Sequence, residues 1–150
     1  MSALFAFLHH VAAFAVVSAI AVEFFVLRAE LTAGTARILL RADLVYGVSA
    51  GMVLLIGFAR VFYFEKGAAY YFASVPFIAK LTLFAAVGLL SIYPTVRFLS
   101  WRDAVRAGVA PSVGPATLAS LRTVLHVELA GIVLILLCAA LMARGVGAAG

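Results

Sequence analysis

Val75-Pro-Phe-Ile-Ala-Lys80-Leu-Thr-Leu-Phe-Ala-Ala-Val-Gly-Leu-Leu-Ser91 decides the fold, because this apolar run continues almost unbroken to Leu99 and yet carries a lysine. A helix rises about 1.5 Å per residue, so about 20 such residues cross the hydrocarbon core of a bilayer. Working outward, three further stretches have the same character: Ala3 to Leu27, Leu44 to Phe64 and Leu118 to Ala143. With Pro76 to Leu99 they predict an all-α, integral-membrane, up-and-down four-helix bundle spanning 1–150 as a single domain. Short links between the runs favour antiparallel neighbours.

Composition agrees. Of 150 residues, 67% are apolar and 11% charged, with a mean hydropathy of +1.22, which is not the balance of a water-soluble domain. The net charge of +5 does not point to nucleic acid, since the basic residues are scattered over short loops and form no stripe. Cys138 is the single cysteine and lies in an apolar segment, where it reads as a small core hydrophobe. The first run begins almost at Met1 without a preceding Lys or Arg, as expected of an uncleaved span. No nucleophile elbow, phosphate-binding loop or zinc-protease motif appears, and the Ser, His and acid residues fall at different depths, so a soluble-type enzyme has no support.

Arg28, Arg37 and Arg41 flank the first link, and Arg97, Arg102, Arg106 and Arg122 the third, whereas the second offers only Arg60 and Lys66. The positive-inside rule then places links one and three in the cytoplasm and both termini outside, in a bacterial cytoplasmic membrane. Phe62, Tyr63, Phe64, Tyr70, Tyr71 and Phe72 read as an outer aromatic belt, with Tyr93 and Trp101 near the inner interface. Gly47-Val-Ser-Ala-Gly51 is a small-xxx-small motif, read as packing within the bundle in preference to a dimer contact.

Ionisable groups within apolar runs are candidate functional residues, since a charge at mid-helix costs roughly 2.5–3.5 kcal/mol on insertion scales. His9 and His10 on the first span, Lys80 on the third and Arg60 on the second approach one outer level. That set is basic and holds no carboxylate, so it calls for an anionic or electron-rich guest, or for neutral imidazole acting as a ligand. A porphyrin answers both, its iron taking axial donors and its propionates seeking basic groups, with His10 and Lys80 as the expected iron ligands. Lys80 and the tandem histidines also read as side chains snorkelling to headgroups. Glu23, Asp43, Arg97, Arg122, His126 and Glu128 form an inner set. There, a charge pair such as Glu128 with Arg28 or Arg97 competes with a proton relay through Glu23, His126 and Glu128.

Phe7-Leu-His9-His10, Lys80-Leu-Thr-Leu-Phe, Gly88-Leu-Leu-Ser-Ile-Tyr-Pro94 and Leu125-His-Val-Glu128-Leu resemble a bacterial membrane-protein family known as domain of unknown function 2214. That likeness covers nearly the whole chain and implies a fold without an activity. A more distant resemblance is to HemJ-type protoporphyrinogen oxidases, four-span proteins that bind b-type haem through a first-span histidine and a third-span lysine. His9 or His10, Arg28, Ile38-Leu-Leu-Arg41, Lys80-Leu and Glu128 occur in the same order. Where that family has Gly-Tyr-His-His-Tyr this chain has Gly88-Leu-Leu-Ser-Ile, and Val26-Leu-Arg28-Ala replaces Pro-Arg-Leu-Phe. Haem b binding is compatible with those departures, whereas protoporphyrinogen oxidation is not carried over. Two functions are therefore expected to compete: a haem- or porphyrin-binding redox protein, and a cofactor-free membrane module acting as an assembly partner, homo-oligomer or small transporter component.

Overall fold

The computed structural model describes residues 2–64 and 71–145, with the backbone alone for Ser2 and Phe64. Lys66 and Tyr70, expected in the second link and the aromatic belt, lie outside the described residues. Among those described, the chain is helical: α1 (Ser2–Val26), α2 (Ala33–Ala59, continued by a π-helical turn Arg60–Phe64), α3 (Val75–Ser100), the short α4 (Arg102–Arg106) and α5 (Pro115–Ala143). Four of these segments, Ala3–Val26, Ala33–Tyr63, Val75–Ser100 and Pro115–Ala143, are long and apolar enough to cross a membrane.

Local chemistry explains the boundaries. The second helix starts eleven residues before the expected Leu44, because Thr32 and Thr35 form a reciprocal cap. Thr32 Oγ1 accepts from the Thr35 N–H at 3.1 Å, and Thr35 Oγ1 accepts from the Thr32 N–H at 2.8 Å. Arg37, Arg41 and Asp43 are thereby helical. Proline opens both later long helices, Pro76 at the start of α3 and Pro115 as the first residue of α5, where a missing N–H costs nothing. Gly108, at φ +71°, reverses the chain after α4. Pro94, by contrast, lies inside α3 and is fully buried, removing the bond to the Leu90 carbonyl two turns before the helix ends.

The helices pack as two intimate pairs, α1 with α2 and α3 with α5, joined by sparser contacts between α1 and α5 and between α2 and α3. The outside is more apolar than parts of the inside. Phe7, Phe14, Phe25, Leu55 and Leu89 are exposed, while Glu23, Asp43 and Glu128 are buried. This inversion of the soluble pattern suits lipid as the solvent, where outward apolar side chains cost nothing and polar groups turn inward. Trp101, expected at the interface, is buried with its ring centroid 5.2 Å from that of Phe98. Phe62, Tyr63 and Phe72 are exposed as a belt requires.

Close approach falls at other glycines than the expected pair. A Cβ on Gly47 or Gly51 would meet nothing within 4 Å, so this motif does not pack the bundle. At Gly131 an added Cβ would collide with Val87 Cγ2, which places the tightest contact of the α3–α5 pair there. Gly131→Leu is therefore expected to destabilise the fold by about 1–3 kcal/mol, as overpacking does. A lowered thermal midpoint in detergent checks it.

Candidate functional site

Rotation about α1 separates the tandem histidines, whose ring centroids lie 6.3 Å apart at 90°. His10 is exposed on the outward face, and its Nδ1 donates to the Ala6 carbonyl at 2.6 Å. His9 turns inward onto α2, where a Cβ on Gly57 would stand 3.3 Å from its Cε1. The Val53 backbone lies alongside, and Lys80 and Arg60 are the cations within electrostatic reach of the ring. His9 Nδ1 is buried without a hydrogen-bond partner. The inward histidine facing Lys80 is therefore His9, and the expected pairing of His10 with Lys80 is not the one the helix rotation presents.

Lys80 is half-buried on α3, with Nζ 5.6 Å from the Phe77 ring centroid and Arg60 and Cys138 as electrostatic neighbours. Arg60 stands where α2 widens into its π-helical turn, a rare backbone form that frequently marks functional sites. One helical turn below His9 and Lys80, at Ala13 and Phe84, begins a cavity of about 270 Å³ in the seam between the helix pairs. Gly47, Ala50 and Gly88 keep its walls small, and Tyr46, Ser91 and Thr95 bring hydroxyls to its far end.

Beyond those hydroxyls lie the buried acids, one from each of three helices: Glu23 of α1, Asp43 of α2 and Glu128 of α5. Thr95 of α3 donates to Asp43 Oδ1 at 2.6 Å, so all four long helices meet at this level. Tyr46 lies beside Ser91 and within electrostatic reach of all three acids, while the Ser91 hydroxyl donates to the Gly88 carbonyl at 2.7 Å. Oε1 of Glu23 and Oε1 of Glu128 are buried without a hydrogen-bond partner. Thr95→Val is expected to cost about 1 kcal/mol, on the scale of interhelical hydrogen bonds in membranes, read as a lower thermal midpoint.

The expected pairing of Glu128 with Arg28 or Arg97 does not occur. Arg28 donates to His126 Nε2 at 3.0 Å and lies 4.1 Å from the Phe24 ring centroid, while Arg97 lies over the Tyr93 ring. His126 Nδ1 donates to the Arg122 carbonyl at 2.8 Å, and Arg122 Nε donates to the Leu27 carbonyl at 3.2 Å. A carbonyl only accepts, so Nδ1 carries the proton and Nε2 accepts from Arg28. Both ring nitrogens of His126 are thus engaged in tying the end of α1 to α5, and neither is free to ligate. Among the described residues, no group of three His, Cys, Asp or Glu side chains is arranged to hold a metal ion.

Residues 1–147 match the family described as Predicted membrane protein (DUF2214). The chain belongs to that family. No curated protein and no solved structure matches it. This DUF2214 protein is accordingly a multi-pass membrane protein whose polar interior, described above, is the place to look for its function. Asp43, Tyr46, Ser91 and Thr95 complete that interior. Asp43 was expected in the inner set, whereas the single hydroxyls gave little sequence signal; Asp43 and Tyr46, three apart on α2, and Ser91 and Thr95, four apart on α3, each share one helix face.

Proposed function

We propose that the protein binds a haem-type porphyrin in a redox role, held by His9 and Lys80 in the bacterial cytoplasmic membrane with the arginine-rich links inside. The observation that carries this reading is the buried Nδ1 of His9 without a hydrogen-bond partner, on a ring that has Lys80 within electrostatic reach and lies one helical turn from an apolar cavity. A buried imidazole nitrogen without a partner is costly unless something binds it. The donor set fits the group: an imidazole nitrogen and an amine for iron, and the Arg60 guanidinium for a propionate. Bound there, haem would supply one-electron chemistry. The protein's own part is to orient the His9 ring against Gly57, to keep water from the cavity with Phe84, Val87 and Ile135, and to hold the amine of Lys80 away from bulk solvent. The distant likeness to HemJ-type proteins supports the reading through the order of His9, Lys80 and Glu128.

The test is the absorption spectrum of detergent-purified protein after haem-replete expression, for the wild type and for His9→Ala, His10→Ala and Lys80→Ala. A Soret band present in wild type and His10→Ala but lost in the other two supports the reading. Its absence from the wild type overturns it.

A second reading, the cofactor-free assembly module, is favoured by the open space over the exposed Gly51. A second membrane helix would find room for its backbone there. If a homo-oligomer uses this face, Gly51→Leu shifts the wild-type oligomer to monomer in size-exclusion chromatography with light scattering. An unchanged mass discards it.

A further inference from the structure

We propose that Glu23, Asp43 and Glu128 form a proton-binding site within the membrane, joined to the interhelical cavity at Tyr46. Three carboxyl groups from three helices stand within electrostatic reach of one another at relative exposures of 2%, 7% and 1%. Around them, α2 contributes Tyr46, α3 contributes only the neutral Ser91 and Thr95, and α5 contributes no cation at this level. Arg28, Arg122 and His126 are bound to one another's elements nearer the arginine-rich end, and the charged residues of α4, namely Arg102, Asp103 and Arg106, face outward.

Three negative charges in a low-dielectric interior without a pairing cation would cost far more than a fold's net stability, so the charge must be met by something small. Protons bound as carboxylic acids remove that charge and turn an acceptor-only oxygen into a donor, which the Oε1 atoms of Glu23 and Glu128, buried without a partner, are placed to take up. A proton needs no coordination shell, in keeping with the absence of a metal-holding arrangement among the described residues. Tyr46 both lines the cavity and stands within electrostatic reach of the three acids, which makes it the residue that joins the two. The site stands whether or not a porphyrin binds above it, because none of its residues touches the His9 and Lys80 end.

Infrared spectroscopy of the whole chain in lipid nanodiscs, without added haem, tests the site at neutral pH in water and in deuterium oxide. The expected result is a carboxylic-acid carbonyl band that shifts on deuteration and is at least halved by Glu23→Gln or by Glu128→Gln. The wild-type spectrum decides the matter even if a variant fails to fold: no acid band at neutral pH overturns the site. A folded variant set, including Asp43→Asn, in which every member keeps the full band also overturns it. So does loss of the wild-type band on adding sodium or potassium, which would make this a cation site.

Discussion

Loss of the Soret band in His9→Ala, with the band retained in His10→Ala, is the expected result for two histidines adjacent in sequence and chemically identical. The difference lies in rotation. Successive residues on a helix point about 100° apart, and in α1 that angle sends His9 onto Gly57 and His10 outward, with its Nδ1 committed to the Ala6 carbonyl. A ligand between the helix pairs is within reach of the first ring only. Changes to groups that merely orient a metal ligand cost about 10–100-fold in affinity, so removing the donor itself should cost at least that much. Lys80→Ala should match His9→Ala in size, and Gly57→Val should weaken the band with both ligands intact, because its methyl groups would push the imidazole from its place. Retention of the band in His9→Ala together with its loss in His10→Ala would mean that α1 is rotated or that the haem sits on the lipid face. A wild type with no band removes the porphyrin reading altogether, and leaves the inner acids untouched.

The four spans were legible because apolar length is a one-dimensional property, and the basic flanks of the first and third links were legible for the same reason. The start of α2 was not, since Arg37, Arg41 and Asp43 interrupt the hydropathy while the Thr32–Thr35 cap that begins the helix is a matter of two side-chain hydrogen bonds. The shared level of His9, Arg60 and Lys80 followed from counting residues along helices. Which histidine faces inward did not, because depth is read from rise whereas facing depends on how each helix is rotated against its neighbours. The same limit hid the inner site. Glu23 and Glu128 announced themselves as charges in apolar runs, yet pairing Glu128 with an arginine overlooked the choice open to Arg28, which takes an imidazole nitrogen and an aromatic face instead. The glycines show the converse error. Gly47 and Gly51 match a packing motif, but the contact that needs a missing side chain lies at Gly131, where Val87 crosses.

Replacing both Glu23 and Glu128 with leucine is expected to leave a protein at least as stable as the wild type, and to raise its thermal midpoint. Each residue is about as buried as any apolar one in the core, and each holds an Oε1 with no partner. Burying a carboxyl group costs more than burying leucine even when its proton finds a partner, and apolar replacement of buried charged groups stabilises by up to about 4 kcal/mol. For a chain of this size each kcal/mol is worth about 2–4 °C. A fall in the midpoint would show instead that the carboxyl groups bond to something that holds the helices together, such as ordered water, and would assign them a structural part. The comparison with Thr95→Val sharpens the point, because that change removes an interhelical bond and should destabilise, whereas the leucines remove the cost of burying carboxyl groups. Buried polar groups that lower stability persist where a function needs them. In this bundle the acid band in the infrared should disappear together with the cost of burying the carboxyl groups, since the same two residues account for both.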